Sequence, residues 1–559
     1  MQFYEELAEE VKNRKIADRN SFRLLKSELS KKHKLGKSPT SIQILYSAEH
    51  KDIEILKPFI ITKPVRTISG VTPVAVMTSP QFCPHGKCTF CPGGPNSHFG
   101  DIAQSYTGNE PASRRALRNK NDPYLQVMNR LEHYALLNQD FSKCEVIIMG
   151  GTFLADPDDY RESFIKYIFK AFNDFSDMFF DSKGVFLFGK FKEFFELPNP
   201  QTKERTESIH SKLLKIKGES DLEKEKLRNE TSNVRCVAMC IETKPDWGFE
   251  KHVDEMLRLG TTRVELGVQS IYDKVLEATH RGHSNSDSIK SIQLMKDSFL
   301  KVGYHIMLGL PSSTREMDME TFKTILNSDD FKPDALKIYP CRVFPGTALY
   351  NQWKQGLYNP IDDEEAMSRI MEIKPMIQKY IRIMRIQRDI PGYLSVAGPN
   401  KTNIRQMMEE KGINCKCIRC REPKGRDIDW DKVKLLRMDY AASHGHEVFL
   451  SYEDIKNDIL LGFLRLRIPF KPFRKEITGN SAGVRELHVY GSATKIGDEA
   501  KNVQHKGFGK SLMSEAEKIA KEEFDIKKLL VTSGIGVKDY YRNKLGYKND
   551  GAYVSKTLD

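Results

Sequence analysis

Three cysteines define the chemistry open to this chain. Cys83, Cys88 and Cys91 stand at C-x4-C-x2-C spacing in the run Gln-Phe-Cys-Pro-His-Gly-Lys-Cys-Thr-Phe-Cys-Pro-Gly-Gly, near enough to clasp one metal centre. Three thiolates suit a 4Fe-4S cluster that keeps one iron free of protein ligands, because a closed zinc site or a structural cluster normally takes a fourth. A free iron can bind a substrate or a cofactor. The alternative is a zinc knuckle completed by His85 or a remote ligand. The Pro-Gly-Gly that follows favours a cluster loop held close to a ligand.

A second group, Cys415, Cys417 and Cys420, has C-x-C-x2-C spacing. Thiolate-bound zinc can fold a short segment with little core of its own, so zinc is expected there, with a fourth ligand that the sequence does not identify. The alternative is three reduced surface thiols. A third candidate is Gln504-His505-Lys506-Gly507-Phe508-Gly509, leading into a helix from Lys510 to Glu522. Glycines at a helix start let backbone N–H groups turn toward an anion, and the helix dipole favours a pyrophosphate, although such a turn also serves as ordinary capping. A strand at 484–490 before it and Tyr540-Tyr541-Arg542 after it complete an order of strand, loop, helix, strand and tyrosine.

These residues need a scaffold. From about 70 to 395, short β-rich runs at 72–77, 146–149, 234–241, 264–268, 305–308 and 335–339 alternate with helical patterns at 122–137, 158–172, 250–259, 286–300 and 316–326. That rhythm predicts parallel βα units and a partial or full βα barrel. Chemistry in such barrels gathers at the carboxyl ends of strands, which here carry Gly150-Gly151-Thr152, Glu242, Gln269-Ser270 and Gly309. Between 181 and 233 a Lys- and Glu-rich stretch with Pro198 and Pro200 breaks the rhythm and reads as an insertion, either a surface helix near 206–227 or a flexible linker. From about 426 the pattern changes to a compact α/β unit.

At 559 residues the chain exceeds the size of a single core, so two or more domains are expected. No apolar run reaches bilayer length, and the acidic N-terminus lacks the features of a secretory signal; a cytoplasmic protein with no membrane partner is expected. Six of the ten cysteines fall in the two tight groups, which favours metal binding over disulfides, while Cys144, Cys236, Cys240 and Cys341 sit in or beside apolar runs and read as small core residues. The net charge of +12 allows a polyanionic partner. Residues 11–40 concentrate it, with ten Lys or Arg against Asp18 and Glu28.

With these residues in view, the chain resembles the Elongator protein 3 family over nearly its whole length, in the form of that family's archaeal stand-alone members. The runs that carry the resemblance, in family order, include the cysteine loop at 83–94, Gln-Ser-Tyr-Thr-Gly at 104–108, Met-Gly-Gly-Thr-Phe at 149–153 and Ile-Glu-Thr-Lys-Pro-Asp at 241–246. They continue with Glu-Leu-Gly-Val-Gln-Ser at 265–270, Arg-Gly-His at 281–283, Gln-Arg-Asp-Ile-Pro at 387–391, Arg-Glu-Leu-His-Val-Tyr-Gly at 485–491 and Gln-His-Lys-Gly-Phe-Gly at 504–509.

The resemblance implies a basic tRNA-contacting segment at 1–70, a partial βα (TIM-like) radical S-adenosylmethionine (SAM) barrel at 71–395, a zinc-binding linker at 396–425 and a GNAT-type α/β acetyltransferase domain at 426–559. It further implies an acyltransferase that uses acetyl-CoA and radical SAM chemistry to form 5-carboxymethyluridine at the wobble uridine of tRNA. Cys83, Cys88 and Cys91 would hold the 4Fe-4S cluster whose open iron binds SAM, and Gly150 and Gly151 would let backbone approach that cofactor. Lys143 would meet acetyl-CoA at the radical domain. Glu486, Leu487, His488 and Val489 would line the acetyl-CoA thioester, and Gly507, Phe508, Gly509 and Lys510 its pyrophosphate. Tyr541 completes the set, with Tyr540 or Tyr541 donating a proton to the departing CoA thiolate or else only packing; His488 receives no general-base role.

Two residues depart from the family pattern, Leu308 where relatives commonly have proline and Lys244 where they have arginine, and neither removes a cluster ligand. A homodimer or Elongator-like subunits stay open as partners beside tRNA. Two other readings remain at this point: a protein lysine acetyltransferase whose cluster is structural, and a non-catalytic tRNA-binding scaffold.

Overall fold

A computed structural model describes residues 3–36, 38–40, 43–44, 47–48, 52, 55–56, 59, 70–197, 202–401, 403–410, 412–491 and 507–558. Gln504, His505 and Lys506 of the glycine turn, and Pro198 and Pro200 of the insertion, lie outside the described residues.

The first sheet takes strands β1 (Thr72–Met77), β4 (Lys143–Met149), β5 (Arg235–Thr243), β6 (Arg263–Gln269), β7 (Lys301–Leu308), β8 (Ala335–Pro340) and β9 (Arg382–Arg385) in the order β1-β4-β5-β6-β7-β8-β9. A small ribbon, β2 (Gly94–Ser97) with β3 (Gly100–Ile102), follows the cysteine loop. Every pairing in the seven-stranded sheet is parallel, and sequence order equals spatial order. Helices such as Pro123–Leu136, Glu250–Leu259 and Arg315–Asn327 return the chain between strands. The result is a partial βα barrel with edges at β1 and β9, as the alternating pattern predicts. Its outward residues, Val74, Val146, Ile148, Val264 and Val302 among them, are buried in one core with those helices.

The stretch 181–233 differs from expectation. Among its described residues the part from 202 onward is helical, and the single helix expected at 206–227 is two, Lys203–Lys217 and Leu222–Asn229, broken at Gly218, whose φ of +45° and extended ψ suit a residue without Cβ. Aromatic packing explains its order. Phe175 and Phe179 on the barrel helix meet Phe186, Phe191 and Phe195, with centroids as close as 4.8–4.9 Å within that set. Arg205 adds a buried ion pair to Glu132 at 2.7 Å. The Lys and Glu residues that dominate the composition lie largely on the outer faces.

The second sheet is mixed and takes β10 (Val433–Ala442), β11 (Gly445–Asp454), β12 (Ile459–Ile468), β13 (Ser481–Val489), β14 (Lys528–Val531), β15 (Lys548–Asp550) and β16 (Tyr553–Thr557) in the order β10-β11-β12-β13-β14-β16-β15. Helix Phe508–Phe524 packs its Leu512, Met513, Ala516 and Ile519 face on this sheet. Two irregularities in β13 matter for function. A bulge next to Leu466 gives β13 one extra residue, Arg485, opposite β12, and β13 stays paired with β14 only from Ser481 to Val484. Beyond that point β13 is paired with β12 alone, so Glu486–Val489 present an edge that β14 does not cover.

The bulge turns Arg485 toward the barrel. Its guanidinium donates to both oxygens of Asp334 at 2.7 Å and to Glu447 at 2.9 Å, while Arg467 joins Asp297 at 2.6 Å and Glu447 at 2.9 Å. All five side chains are at most 1% exposed. The two sheets are thus fixed to each other by paired charges in a dry interface. The N-terminal helices Phe3–Asn13 and Arg19–Lys32 form a small core of their own around Leu7, Val11, Phe22, Leu25 and Leu29, leaving Arg19, Arg23 and Lys31 exposed. No helix among the described residues is long and apolar enough to cross a membrane.

Candidate active site

The cysteine loop leaves β1 and lies over the carboxyl ends of the barrel strands. Cys88 and Cys91 are buried, and Cys83 is half-buried. Arg281 Nη1 donates to Cys88 Sγ at 3.3 Å, Thr152 Oγ1 lies 3.7 Å from Cys83 Sγ, and Gln104 Oε1 lies 3.2 Å from Cys91 Sγ. The Arg281 and Thr152 donors stabilise thiolates and tune any iron they bind, whereas Gln104 Oε1 accepts from the Cys91 thiol. Burial, followed by the neighbouring Cys88, pushes the Cys91 thiol up to about 11, so a cation must hold it as a thiolate.

Spacing separates the two metal readings. A single tetrahedral ion with metal–sulfur bonds of about 2.3 Å places its sulfurs about 3.8 Å from one another. Among the described residues only Cys415, Cys417 and Cys420 form a trio of ligand atoms all within 4.8 Å. The sulfurs of Cys83, Cys88 and Cys91 spread wider, which fits a polynuclear cluster and counts against a zinc knuckle. His85 Nε2 stands 3.2 Å from Cys88 Sγ as a hydrogen-bonding neighbour, and burial, aided by Lys244 and Arg281, holds its ring at about 4.

Gly150 and Gly151 follow β4 with φ of +131° and +106°. A Cβ on Gly150 would stand 2.1 Å from Thr78 Oγ1, whereas one on Gly86, also at positive φ, would meet nothing within 4 Å. Gly150→Ala is therefore expected to cost about 2–4 kcal/mol, and Gly86→Ala about 1 kcal/mol, as the shift in urea unfolding midpoint. Around the same rim, Thr243 Oγ1 and Gln269 Oε1 are buried without a hydrogen-bond partner. Orphaned acceptors beside a thiolate trio suit a polar cofactor such as SAM.

One cavity of about 1160 Å³ runs from this rim through the barrel to the second sheet. Its walls include Cys83, Cys88 and Cys91 at the rim and, among others, Lys143, Leu487, His488 and Tyr540. Barrel interiors are ordinarily filled by branched apolar side chains. Here the lumen is ionic. Lys337 Nζ donates to Glu242 at 2.8 Å and lies 3.9 Å from Glu265, Tyr106 donates to Glu242 at 3.1 Å, and His305 Nε2 is 3.2 Å from Glu265. Burial alone would raise Glu265, but Lys337 and then Arg263 hold it well below the usual carboxylate range. Sequence reasoning treats these strands as apolar on both faces and misses this column, although Arg263 and Glu265, two apart in β6, carry the period of an inward face.

The second sheet closes the far end. The loop at 533–537 packs so closely on β5 that a Cβ on Gly534 would stand 2.0 Å from the Val237 carbonyl. Lys143, the first residue of β4, is half-buried with its ammonium pushed down by burial. Helix Phe508–Phe524 starts at Gly507, which is left-handed at φ +79°, and a Cβ on Gly509 would lie 3.8 Å from Val489, 3.9 Å from the Tyr540 hydroxyl and 4.0 Å from Leu487. The helix N-terminus, the uncovered edge of β13 and the Tyr540 hydroxyl therefore converge. Tyr540 is half-buried, whereas Tyr541 packs edge-on against Tyr540 and Tyr547 in the core of this sheet; both border the cavity. Gly507, Phe508, Gly509 and Lys510 stand at the helix start but are not on the cavity wall, and Phe508 packs against Tyr452 with ring centroids 4.4 Å apart.

His488 stacks on Phe463 with an interplanar angle of 9°, and its ring pKa is lowered mainly by burial. Glu486 is committed to an ion pair with Lys301 and to Arg465 at 2.9 Å. Although burial opposes it, Lys301 followed by Arg465 brings the carboxyl down to about 2. Its folded pKa lies below the unfolded value near 4.5, so the stability it contributes is present above about pH 4.5 and is lost as pH falls toward 2. Thermal melts of Glu486→Gln against the unsubstituted protein should converge on acidification and separate at pH 7.

Cys415, Cys417 and Cys420 pack against the barrel's last strand. Ile418 N donates to the Ile381 carbonyl at 3.0 Å, which covers the edge of β9. Hydrogen bonds from Cys415 and Cys420 hold the Cys417 thiol well below its usual range. The trio suits one tetrahedral ion, and no fourth ligand atom joins it among the described residues. Lys244, at the position of the usual arginine, bonds Asp246 at 3.1 Å and lines the cavity, and Leu308 is buried in the core.

Comparison with known proteins gives three family matches: the ELP3 N-terminal domain over residues 1–68, the Radical SAM superfamily over 77–325 and the Radical_SAM C-terminal domain over 333–412. A Methanocaldococcus jannaschii protein named tRNA uridine(34) acetyltransferase is 48% identical over 99% of this chain and 97% of its own length. Elongator complex protein 3 of Saccharomyces cerevisiae is 39% identical over 95% of this chain and 91% of its own. Among solved structures, the archaeal Methanocaldococcus infernus Elp3 with N-terminus deletion (1–46) superimposes with a TM-score of 0.70 and 45% identity, covering 88% of this chain and 100% of that one.

Proposed function

The chain belongs to the Elongator protein 3 family, with a radical SAM barrel at its centre, and we propose that it modifies the wobble uridine of tRNA, using acetyl-CoA and radical SAM chemistry to form 5-carboxymethyluridine. The observation that carries this reading is the single cavity joining the cysteine rim to the β13 edge and Tyr540. A reaction that moves a carbon unit from a thioester to a base needs both ends of that space.

The proposed parts are 1–70 as a tRNA-contacting segment, 71–395 as the radical SAM domain, 396–425 as a zinc-binding linker and 426–559 as a GNAT-type acetyltransferase domain. Cys83, Cys88 and Cys91 would hold a 4Fe-4S cluster, and Gly150 and Gly151 would leave room for SAM. The bound cluster and SAM supply one-electron chemistry. The chain's own residues orient and shield. Lys143, Leu487, His488 and Val489 would line the acetyl-CoA path, Glu486 would hold β13 against the barrel through its ion pairs, and Gly507, Phe508, Gly509 and Lys510 would receive the pyrophosphate. Tyr540, with its hydroxyl at the helix start, is better placed than Tyr541 to give a proton to a departing thiolate.

Cys415, Cys417 and Cys420 would bind zinc. Cys417→Ser is expected to lose that metal by elemental analysis and to lower the melting temperature, because the ion orders a segment with few core residues of its own. A cytoplasmic location is the corollary of a tRNA substrate, and a second copy or Elongator-like subunits are the partners to seek by light scattering. The test of function is anaerobic reaction of reconstituted protein with SAM, reductant, acetyl-CoA and tRNA. Formation of 5-carboxymethyluridine supports it. No modified uridine despite an intact cluster, with acetyl transfer to lysine peptides instead, would favour a protein acetyltransferase.

A further inference from the structure

The edge strand β9 and the segment that covers it carry a row of arginines that the proposed chemistry does not use. Arg405 Nη2 donates to the Ile383 carbonyl at 3.1 Å and Arg419 Nη1 to the Met384 carbonyl at 2.6 Å. Arg388, just past β9, donates to the Ser105 carbonyl and lies over the Tyr106 ring, 5.5 Å from its centroid. All three line the large cavity. Their neighbours differ: Arg382 is paired with Glu422, and Arg385 with Asp389 at 2.5 Å. Among the described residues, no carboxylate approaches Arg388, Arg405 or Arg419 within the 4.0 Å of an ion pair.

A guanidinium has five N–H donors, and each of these side chains spends part of that capacity on neutral carbonyls that leave its charge uncompensated. Uncompensated like charges along one wall of a cavity attract an anion, and a guanidinium fork matches the oxygens of a phosphate. The cofactor's pyrophosphate already has a proposed seat at the start of helix Phe508–Phe524.

We propose that Arg405 and Arg419, continued by Arg388, bind phosphodiester groups of the RNA strand that carries the target uridine, so that the strand crosses the β9 edge beside the Cys415–Cys420 knuckle. This rests on the tRNA reading above and adds the route of the substrate. It also gives the knuckle a task beyond folding. Arg419 lies between Cys417 and Cys420, so an ion held there fixes the backbone from which the arginine reaches the cavity.

The experiment is tRNA binding by full-length protein over a salt series, comparing the unsubstituted protein, Arg405→Gln/Arg419→Gln and a Lys518→Gln/Lys521→Gln control that removes equal charge from an exposed helix face. The arginine pair is expected to weaken binding about ten- to a hundredfold and to lower the salt slope by about 1 to 2. The lysine control and the affinity for acetyl-CoA should stay near those of the unsubstituted protein. Arg419→Lys, which keeps the charge, should recover part of the loss. Equal affinity and salt slope in the arginine pair and the unsubstituted protein would overturn the proposal. Weaker acetyl-CoA binding with unchanged tRNA binding would assign the site to the cofactor's phosphates and overturn the RNA route. Failure of the unsubstituted protein itself to bind tRNA would instead defeat the tRNA reading, and the proposal with it.

Discussion

Cys88→Ser should reduce formation of the modified uridine to background while leaving the protein folded. Cys88 is buried, receives the Arg281 guanidinium at 3.3 Å and sits in a loop covering a polar lumen. Serine keeps the volume but offers an alkoxide of far higher pKa, which a soft iron site binds poorly. Iron content should fall with activity, and SAM should no longer be cleaved. Circular dichroism and urea unfolding should change little, because the loop contributes few contacts to either main core. A variant that lost its iron yet still modified tRNA would show that the cluster is structural only.

Arg485→Met carries the largest expected change in stability. The substitution leaves Asp334 without the two hydrogen bonds at 2.7 Å and takes two, at 2.9 and 3.2 Å, from Glu447, where both carboxylates are at most 1% exposed. Removing one partner of a buried charge network costs about 3–5 kcal/mol, mostly as the penalty on the charges left behind. Arg465, Arg467 and Lys296 remain nearby and soften that loss, since Arg465 lies 3.4 Å from Asp334 and Lys296 lies 3.9 Å from Glu447. A double replacement, Arg485→Met with Asp334→Leu, should recover part of the stability by removing both ends of one pair. It should not recover activity in proportion, because the bulge at Arg485 also sets the course of Glu486–Val489. Urea midpoints and initial rates measured on the same preparations separate the two effects.

The barrel was legible wherever apolar runs coincide with buried strands. The 72–77 run is β1 to the residue, and 250–259 is a helix to the residue, because Val253, Met256, Leu257 and Leu259 repeat on one face and Gly260 ends it in a left-handed turn. Other strands extend past their apolar runs into charged residues. β6 begins at Arg263 and β7 at Lys301, where side chains enter an ionic lumen that hydrophobic periodicity cannot register. β9 is the extreme case. Its four residues begin and end with arginine, and only pairing with β8 and cover from the cysteine knuckle make it a strand. The insertion misled for a different reason: charge dominates its composition, while a few phenylalanines decide its packing.

At the site, residue types revealed the sulfur groups and the glycine turn, because those chemistries depend on local spacing. What sequence could not supply is that the rim and the β13 edge face one space. That depends on Arg485, Arg467, Asp297 and Asp334 holding two sheets together through contacts 151 and 170 residues apart in the chain. The same limit explains why Glu265 and Lys337 go unassigned and Glu242 reads only as a strand end: each looks like an ordinary charge until β5, β6 and β8 bring them together.

The account stands on one claim, that the cavity lets a carbon unit from acetyl-CoA reach a base presented at the cysteine rim. The direct measurement is mass spectrometry of tRNA nucleosides after anaerobic reaction with acetyl-CoA labelled with carbon-13 in the acetyl group. Both labelled carbons should appear in a carboxymethyl group on uridine, and the signal should vanish when SAM is omitted. Label found only in free acetate or on protein lysines, with uridine unlabelled in the presence of an intact cluster, would contradict it.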